Sequence, residues 1–355
     1  MHPIASLSDL ADIVCRKPEH VPPRPGNIVD LSYPAAGPLP EVRLATDPVG
    51  NATMLVRTSV EEAKRLADAA RNAIDRSVRQ AEKDTPGRAE LETAAADLAR
   101  RGLFAQAVLR TGVFPFLDPR FSETEGIAPE GACEFCASFT LRPQAELSDY
   151  GPVRVDKQAE APDDESRVDE YLTRLTGGAV RWQDVPDEAQ ESLERLRDRA
   201  RRQMRVDDEA KHTAEFMRRC SNELAERLMR DAPTRYVELL RDELAARYAG
   251  AVEQSGQAWS DYTATPGFSL DAFKEQMTTE ARASLRRGLA LDAVARHFAI
   301  GLTEEDLLDC LAGVARGHEL EAARAMYDNG QIAQFVERAL RAKTSDFVAR
   351  RAIRE

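Results

Sequence analysis

The sequence is poor in several features that mark large protein classes. Aromatic residues make up only 6% of its 355 residues, so a core must be built mainly from leucine, alanine, valine and methionine. No apolar run approaches the ~20 residues that a membrane-spanning helix needs. The first ten residues lack the basic and apolar parts of a secretory signal. We therefore expect a cytoplasmic protein that has no membrane partner.

Cysteine is scarce and has no pattern of the kind that builds a site. The five cysteines are scattered and odd in number, which fits a reducing compartment better than a disulfide framework. Cys133 and Cys136 form a Cys-x-x-Cys pair, but no second ligand pair follows for zinc. On a strand, residues three apart point to opposite faces. We expect structural cysteines and no metal site.

Motifs of catalysis and phosphate binding are missing as well. The sequence contains no P-loop, nucleophile elbow or Rossmann fingerprint. The acidic run Glu304-Glu305-Asp306 has a sufficient structural purpose at a helix N-terminus, where it opposes the helix dipole. We expect no enzyme and no cofactor.

Positive charge is in short supply. The net charge is -12, whereas general nucleic-acid binding needs a basic face that replaces the counterions of phosphate. We therefore expect no DNA partner, although a local basic patch is compatible with an acidic chain.

Proline is concentrated in the first segment, residues 1–40, which holds eight of the 19 prolines. Proline fixes φ and removes a hydrogen-bond donor. The composition predicts an extended arm, either draped over something or left loose, rather than a domain.

Residues 41–150 carry the signals of a small α+β domain. Alternating apolar residues flank Asp47-Pro48-Val49-Gly50, which predicts a β-hairpin. Ser59 and Glu62 have capping-box spacing and open the first of two helices, which together run to Leu109. A strand is predicted over residues 132–141.

The rest of the chain is predicted to be helical. Residues 151–185 read as a charged connector with one short helix, and residues 186–355 as long amphipathic helices. Thr303 and Asp306 have capping-box spacing at the start of one of them.

Five segments, taken in order, resemble trigger factor, and each alone is a weak signal. They are Cys136–Leu147 with Val153–Lys157, Asp163–Thr176, Pro233–Tyr248, Leu285–Leu307 and Tyr327–Ile353. The resemblance implies a mainly α, elongated multi-domain fold with a small α+β N-terminal domain. It also implies a helical-arm chaperone domain of the trigger factor C-terminal, SurA-like type.

The chain departs from that family at two places. Only Gly177–Val185 separates the short helix from the long one, too little for the family's FKBP-type isomerase domain. The docking loop lacks the family's Gly-Phe-Arg-x-Gly-Lys pattern. Four basic residues remain there as candidates for contact with the ribosome: Arg76, Arg79, Lys83 and Arg88. We expect no isomerase activity and weak, salt-dependent or absent ribosome binding.

The resemblance implies an ATP-independent chaperone that holds unfolded or nascent polypeptides in a helical cradle. Without nucleotide, such a protein must use dispersed apolar contacts, each of ~1 kcal/mol or less, so that clients leave spontaneously. The arms have more apolar residues than one packing face needs. The candidates for client contact are Tyr236, Leu240, Phe273, Met277, Leu289, Phe298, Leu308, Met326 and Phe335.

A second interpretation is an assembly or scaffold protein that binds one dedicated partner through the same arms, including a second copy of itself. Loss of both the isomerase domain and the docking pattern would suit it. Broad suppression of aggregation favours the chaperone, and one stoichiometric partner favours the scaffold.

Overall fold

The chain, whose structure is a computed structural model, consists of two compact units. The structure describes residues 4–15, 20–36, 39–80, 87–122, 133–156, 165–175 and 190–355. One unit comprises residues 1–148 and 227–344, and the other comprises residues 149–226 and 345–355. Within the described residues there are eleven helices and seven strands.

The larger unit contains a five-stranded antiparallel sheet in the order β1-β2-β3-β5-β4. Its strands are β1 (Asp30–Tyr33), β2 (Glu41–Thr46), β3 (Asn51–Thr58), β4 (Arg120–Phe121) and β5 (Cys133–Thr140). Strands β2 and β3 form the hairpin predicted from the sequence, with Val42 opposite Val56 and Leu44 opposite Met54. All four of these side chains are fully buried, because alternate residues of a strand share one face.

Two helices, α2 (Val60–Gln80) and α3 (Arg88–Thr111), pack against each other beside the sheet. The backbone N–H of Glu62 donates to Ser59 Oγ at 3.3 Å, which is half of the expected capping box. The other half is absent, because the Glu62 carboxylate instead accepts hydrogen bonds from Arg65. Leu66 of α2 and Leu103 of α3 are fully buried in the shared core.

The proline-rich segment is more ordered than its composition predicts. It contains helix α1 (Leu7–Val14) and strand β1, and it buries Ile4, Leu10 and Tyr33 completely. Ser6 and Asp9 form a capping box that starts α1. The extended conformation predicted for this segment is wrong for residues 7–14, which are helical because local capping and tertiary burial outweigh the proline content.

The larger unit also contains the C-terminal helices. They are α6 (Thr234–Gln254), α7 (Trp259–Thr263), α8 (Leu270–His297), α9 (Glu304–Ala315), α10 (Glu319–Asn329) and α11 (Ile332–Arg351), the last within this unit as far as Thr344. The capping box of Thr303 and Asp306 is present at the start of α9, as predicted. Helix α10 packs against α2, α3 and α9, so early and late parts of the sequence share one core.

The smaller unit is built on α5 (Gln190–Ala225). Helix α4 (Glu165–Leu175) packs on it through Val168, Leu172 and Ala200. A short parallel pair, β6 (Arg154–Val155) and β7 (Ile353–Arg354), completes the unit. Strand β7 was not predicted, since two residues carry no periodic signal.

The mainly helical class with a small α+β part is therefore confirmed. The two compact units do not coincide with the four segments predicted from the sequence. The boundaries of those segments stay a prediction. Among the described residues, no helix has both the length and the apolar character that crossing a bilayer requires.

Candidate functional site

Helices α6 and α8 pack side by side as a hairpin whose base is buried. Tyr236 and Val237 of α6 lie in one apolar cluster with Ala281, Leu285 and Leu289 of α8. Burial is confined to this base, since the described residues 248–273 at the other end include no buried side chain. The hairpin therefore has a buried base and a solvent-facing end.

Five aromatic side chains gather at that solvent-facing end. We call them the aromatic tip: Tyr248, Trp259, Tyr262, Phe268 and Phe273. The rings of Trp259 and Tyr262 stack at 5.5 Å between centroids and 17° between planes. The ring centroids of Tyr248 and Phe273 are 5.3 Å apart. None of the five is buried, although aromatic rings are among the side chains that gain most from burial.

Local chain geometry holds the aromatic tip together. Gly256 and Gly267 adopt φ values of 89° and 94°, which turn the chain on either side of α7. The hydroxyl groups of Tyr248 and Tyr262 are 2.7 Å apart and share a hydrogen bond, which raises the pKa of Tyr262. The cluster is thus a defined surface rather than a set of separate exposed rings.

A groove of about 740 Å³ lies nearer the base of the hairpin. Residues of α3, α6, α8 and α11 line it, together with the segment 114–121 that follows α3. Its apolar wall consists of half-buried side chains: Phe114, Phe116, Leu117, Phe121 and Leu240. Binding sites for proteins and peptides are commonly concave apolar surfaces of this kind.

Arg142 holds the apolar wall in place. Its Nε donates to the carbonyl oxygen of Pro115 at 3.0 Å, and its guanidinium lies 5.8 Å from the centre of the Phe114 ring. The same guanidinium pairs with Glu337 of α11. Phe116 is fixed from the other side by an edge contact with Tyr236 at 4.9 Å.

The groove also contains a charge network. Arg341 of α11 donates two hydrogen bonds to Asp292 of α8, at 2.9 and 2.8 Å, and pairs with Glu337 at 2.9 Å. Burial acts to lower the pKa of Arg341, but the bonds to Asp292 and the two negative charges outweigh it and raise the pKa above its ordinary value. The guanidinium therefore stays charged, and the groove presents fixed charge beside apolar rings.

Comparison with known proteins finds a family that is similar to the C-terminal helical part of the chain. Residues 192–350 match the model of the family described as bacterial trigger factor protein (TF) C-terminus. Those residues cover nearly all of α5 and the helices α6 to α11. Residues 192–350 are therefore similar to the trigger factor C-terminal family. The resemblance seen in the sequence is confirmed for this part of the chain.

The other comparisons add little. One similar solved structure is described as showing promiscuous substrate recognition in folding and assembly activities of the trigger factor chaperone. It is 12% identical, has a TM-score of 0.37, and the match covers 85% of this chain and 97% of that one. A score that low supports no argument from shared structure. None of the curated proteins matches the chain.

The trigger factor C-terminal domain supports a chaperone-like role in which unfolded polypeptides are bound. Such a role needs apolar surface that stays accessible. The aromatic tip lies wholly within the matched region, whereas the groove is lined both by matched helices and by residues of α3 and the segment 114–121, which lie outside it. The family is chaperone-like rather than enzymatic.

The structure sorts the nine side chains proposed for client contact. Tyr236, Met277, Leu289 and Phe335 are buried and belong to the core. The other five are partly exposed: Leu240, Phe273, Phe298, Leu308 and Met326. Leu240 lines the groove and Phe273 belongs to the aromatic tip. Client contact by these residues stays a prediction.

The four basic candidates for ribosome contact fall around the connection between α2 and α3. Arg76 and Arg79 are in the last turns of α2, and Arg88 is the first residue of α3. Lys83 lies outside the described residues. Three of the four are thus placed at the two helix ends that this connection joins.

The cysteines do not form a site in the part of the chain that the structure describes. No group of three or more potential ligands occurs there. Cys133 is buried on β5 while Cys136 is half-exposed, as expected for residues that point to opposite faces. Burial raises the pKa of Cys133, so its thiol stays protonated.

Sequence reasoning missed four of the five residues of the aromatic tip and named only Phe273. A signal was present, because five of the 21 aromatic residues fall between positions 248 and 273. In a chain with few aromatic residues, such local density is a feature that sequence reasoning could have singled out. The walls of the groove had no comparable signal, since α3 and α11 are far apart in sequence.

Proposed function

We propose that this protein is an ATP-independent chaperone that holds unfolded polypeptides on the arms of its trigger factor C-terminal domain. The aromatic tip carries this proposal. Five aromatic side chains cluster at the solvent-facing end of a helical hairpin, and none of them is buried. Folding alone gives no reason to leave so much apolar surface accessible.

Weak, dispersed contacts suit such a task. A holding chaperone must release its clients without nucleotide hydrolysis, so each contact has to be small and the dissociation fast. Aromatic rings bind chains of many sequences, because their faces and edges accept varied partners. The groove adds a second contact surface, where the apolar wall meets the charges of Arg341 and Asp292.

Aggregation suppression tests the proposal. Trp259→Ser, Phe268→Ser and Phe273→Ser should each weaken suppression about two- to fivefold, because each ring contributes up to ~1 kcal/mol of contact. The matched control is Val49→Ser, which also removes an exposed apolar side chain, 64% exposed, but outside the matched region. Thermal unfolding of each variant separates lost binding from lost stability.

Two results would contradict the proposal. One is that holding falls only in variants that also unfold. The other is that Val49→Ser weakens holding as much as the tip variants do. Recovery of a single stoichiometric partner, together with no general suppression, would favour the scaffold interpretation.

We propose further that the protein has no prolyl isomerase activity. Between β6 and α5, the described residues form only the short helix α4, and Gly177–Val185 lie outside the described residues. The whole interval 176–189 is too short for a β-sheet domain with a prolyl pocket. Uncatalysed prolyl isomerisation takes tens of seconds or more, so acceleration of a proline-limited refolding reaction would be easily detected.

Ribosome binding is proposed to be weak and salt-dependent, or absent. The helix connection retains Arg76, Arg79, Lys83 and Arg88 but not the family's docking pattern. Contacts made by basic side chains alone weaken steeply as salt rises. Co-sedimentation with ribosomes that survives both high salt and reversal of the four charges would contradict this.

A further inference from the structure

Helix α1 covers a surface of the trigger factor C-terminal domain. It packs against α9 and α10, both within the matched residues, and also against α3, which like α1 itself lies outside them. Ile4, Leu10 and Ala11 are buried in one cluster with Leu307 of α9 and Tyr327 of α10. A surface of the chaperone domain is thus closed by a segment from the other end of the chain.

Helix α1 also has the pattern of an amphipathic helix lying in a groove. Four of its apolar residues, Leu7, Leu10, Ala11 and Val14, are spaced i, i+3, i+4 and i+7, and Ile13 also packs against the cluster. Ser8 and Asp12 on the other face are exposed. That spacing is how apolar grooves recognise helical segments. Leu7 and Val14 are only partly buried at the edges of the contact.

Hydrogen bonds to its main chain help to hold the segment in place. Arg324 of α10 donates from Nε to the carbonyl oxygen of Ile4 at 2.8 Å and from Nη2 to that of Ala5 at 3.1 Å. These bonds go to main-chain oxygens, which any sequence offers. An eight-residue helix is not stable alone, so α1 keeps its conformation only while docked. Such elements open locally before the rest of a domain does.

We propose that the α1-covered face of α9 and α10 is a binding site for an amphipathic helical segment of a client, and that α1 occupies it as an internal competitor. This rests on the proposed holding function. The occupant is defined by the chemistry of α1: apolar side chains at i, i+3, i+4 and i+7, with an acidic first turn like that of Asp9. Leu308 and Met326, two of the predicted client contacts, lie on the same two helices.

Peptide binding in trans tests the site on the full-length chain. The probe is a fluorescent peptide of residues 4–15 carrying Cys15→Ser. Leu10→Asp in the protein places a carboxylate in the buried interface and should release α1, whereas Ser8→Asp places the same group on the exposed face of the helix. If α1 occupies the site most of the time, releasing it should tighten peptide binding by at least about tenfold, because apparent affinity scales with the free fraction of the site.

The expected result is saturable binding to the Leu10→Asp protein and much weaker binding to the wild-type and Ser8→Asp proteins. A peptide that itself carries Leu10→Asp should not bind. Failure of the folded Leu10→Asp protein to bind the probe would overturn the proposal, as would equal binding by all three proteins or equal binding of both peptides.

Hydrogen exchange on the unchanged protein covers the case in which Leu10→Asp does not fold. The amides of α1 should exchange at least about tenfold faster than those of α9 and α10, because α1 opens while the surface beneath it stays folded. Equal protection of all three helices would show that α1 is a permanent part of the core and would overturn the proposal.

These outcomes are separable from the holding function. Suppression of aggregation by the wild-type protein, without peptide binding to Leu10→Asp, rejects the α1 site alone. Peptide binding without any suppression of aggregation establishes the site and rejects the general chaperone.

Discussion

Arg341 on α11 donates two parallel hydrogen bonds, of 2.9 and 2.8 Å, to the carboxylate of Asp292 on α8. The geometry is that of a bidentate guanidinium–carboxylate pair, the strongest form that such a pair takes. Gly288 lies one turn before Asp292, and a Cβ added there would be in ordinary van der Waals contact with the guanidinium, 3.4 Å away. The pair therefore joins two helices that line the groove.

Removing this carboxylate should destabilise the larger unit. Asp292→Ala leaves Arg341 with Glu337 as its remaining partner and should cost about 1–3 kcal/mol of unfolding free energy, because a partly buried charge loses two hydrogen bonds. Glu243→Ala is the control. It removes an exposed pair within α6, with Arg247, and should change stability by less than about 0.5 kcal/mol. Urea unfolding of both variants checks the difference, and equal effects would show that the Asp292 pair is no stronger than a surface pair.

A second prediction concerns the contact between α3 and α10. A methyl group at Gly102 would collide with the carbonyl oxygen of Asp328, and a Cβ at Gly330 would lie 2.5 Å from the carbonyl oxygen of Arg101. Gly330 also has a φ of 83°. Since backbone cannot move aside as a flexible side chain can, Gly102→Ala should cost roughly 1–3 kcal/mol or more.

The control for Gly102→Ala is Gly313→Ala. Gly313 is also within a helix, α9, but nothing lies within 4 Å of an added Cβ. Because alanine favours helix over glycine, this change should be neutral or stabilise by up to about 1 kcal/mol. Thermal unfolding of the two variants should therefore shift in opposite directions. If both raised the melting temperature, α3 and α10 would not be in such close contact.

The sequence predicted those parts of the fold that are encoded locally. The hairpin of β2 and β3 follows from alternation around Asp47–Gly50, and the start of α9 follows from the spacing of Thr303 and Asp306. Both depend on residues close in sequence. The C-terminal part of the family could also be identified, because three of the five segments, those that start at Pro233, Leu285 and Tyr327, fall within or almost within the residues that the family model matches.

Features that depend on distant residues could not be predicted. The approach of Gly102 to Asp328 joins residues more than 200 positions apart, and the residues next to Gly102 in sequence do not mark it as a point of contact. The docking of α1 was hidden by the prolines around it. Of the nine client candidates, four proved to be buried, because a helix with a broad apolar surface does not reveal which part of it a neighbour covers.

A third prediction concerns pH. Asp306 is partly buried, which acts to raise its pKa, but hydrogen bonds from Lys343 and Thr303 and the charge of Lys343 lower the pKa below its ordinary value. A depressed carboxylate pKa stabilises the folded state fully above the ordinary value of about 4. That contribution is lost as the pH falls through the lower, folded-state pKa.

Comparison of wild-type and Asp306→Asn proteins checks the sign. The difference in unfolding free energy between them should be constant from pH 5 to pH 7 and should shrink below about pH 4, as Asp306 becomes protonated. Denaturant titrations at several pH values measure it. A difference that grows on acidification would mean that burial, rather than the bonds to Lys343 and Thr303, decides the pKa.

The last prediction uses Trp259 as a reporter of client binding. The chain has two tryptophans, Trp182 and Trp259, so Trp182→Phe leaves a single fluorophore in the aromatic tip. Trp259 is partly exposed and stacks on Tyr262, so its emission should be that of an indole in partial contact with water. An unfolded client that binds the aromatic tip would exclude that water. We therefore expect a blue shift of the emission and weaker quenching by iodide when a reduced, unfolded protein is added, but not when the same protein is folded.

Tyr262→Ser should reduce the blue shift, because it removes the ring that stacks on Trp259. The effect should titrate with an affinity in the micromolar range, as expected for a contact of a few rings that must release spontaneously. If clients are held while the fluorescence of Trp259 stays unchanged, the aromatic tip is not the contact surface, and the groove beside Arg142 would be the surface to test next.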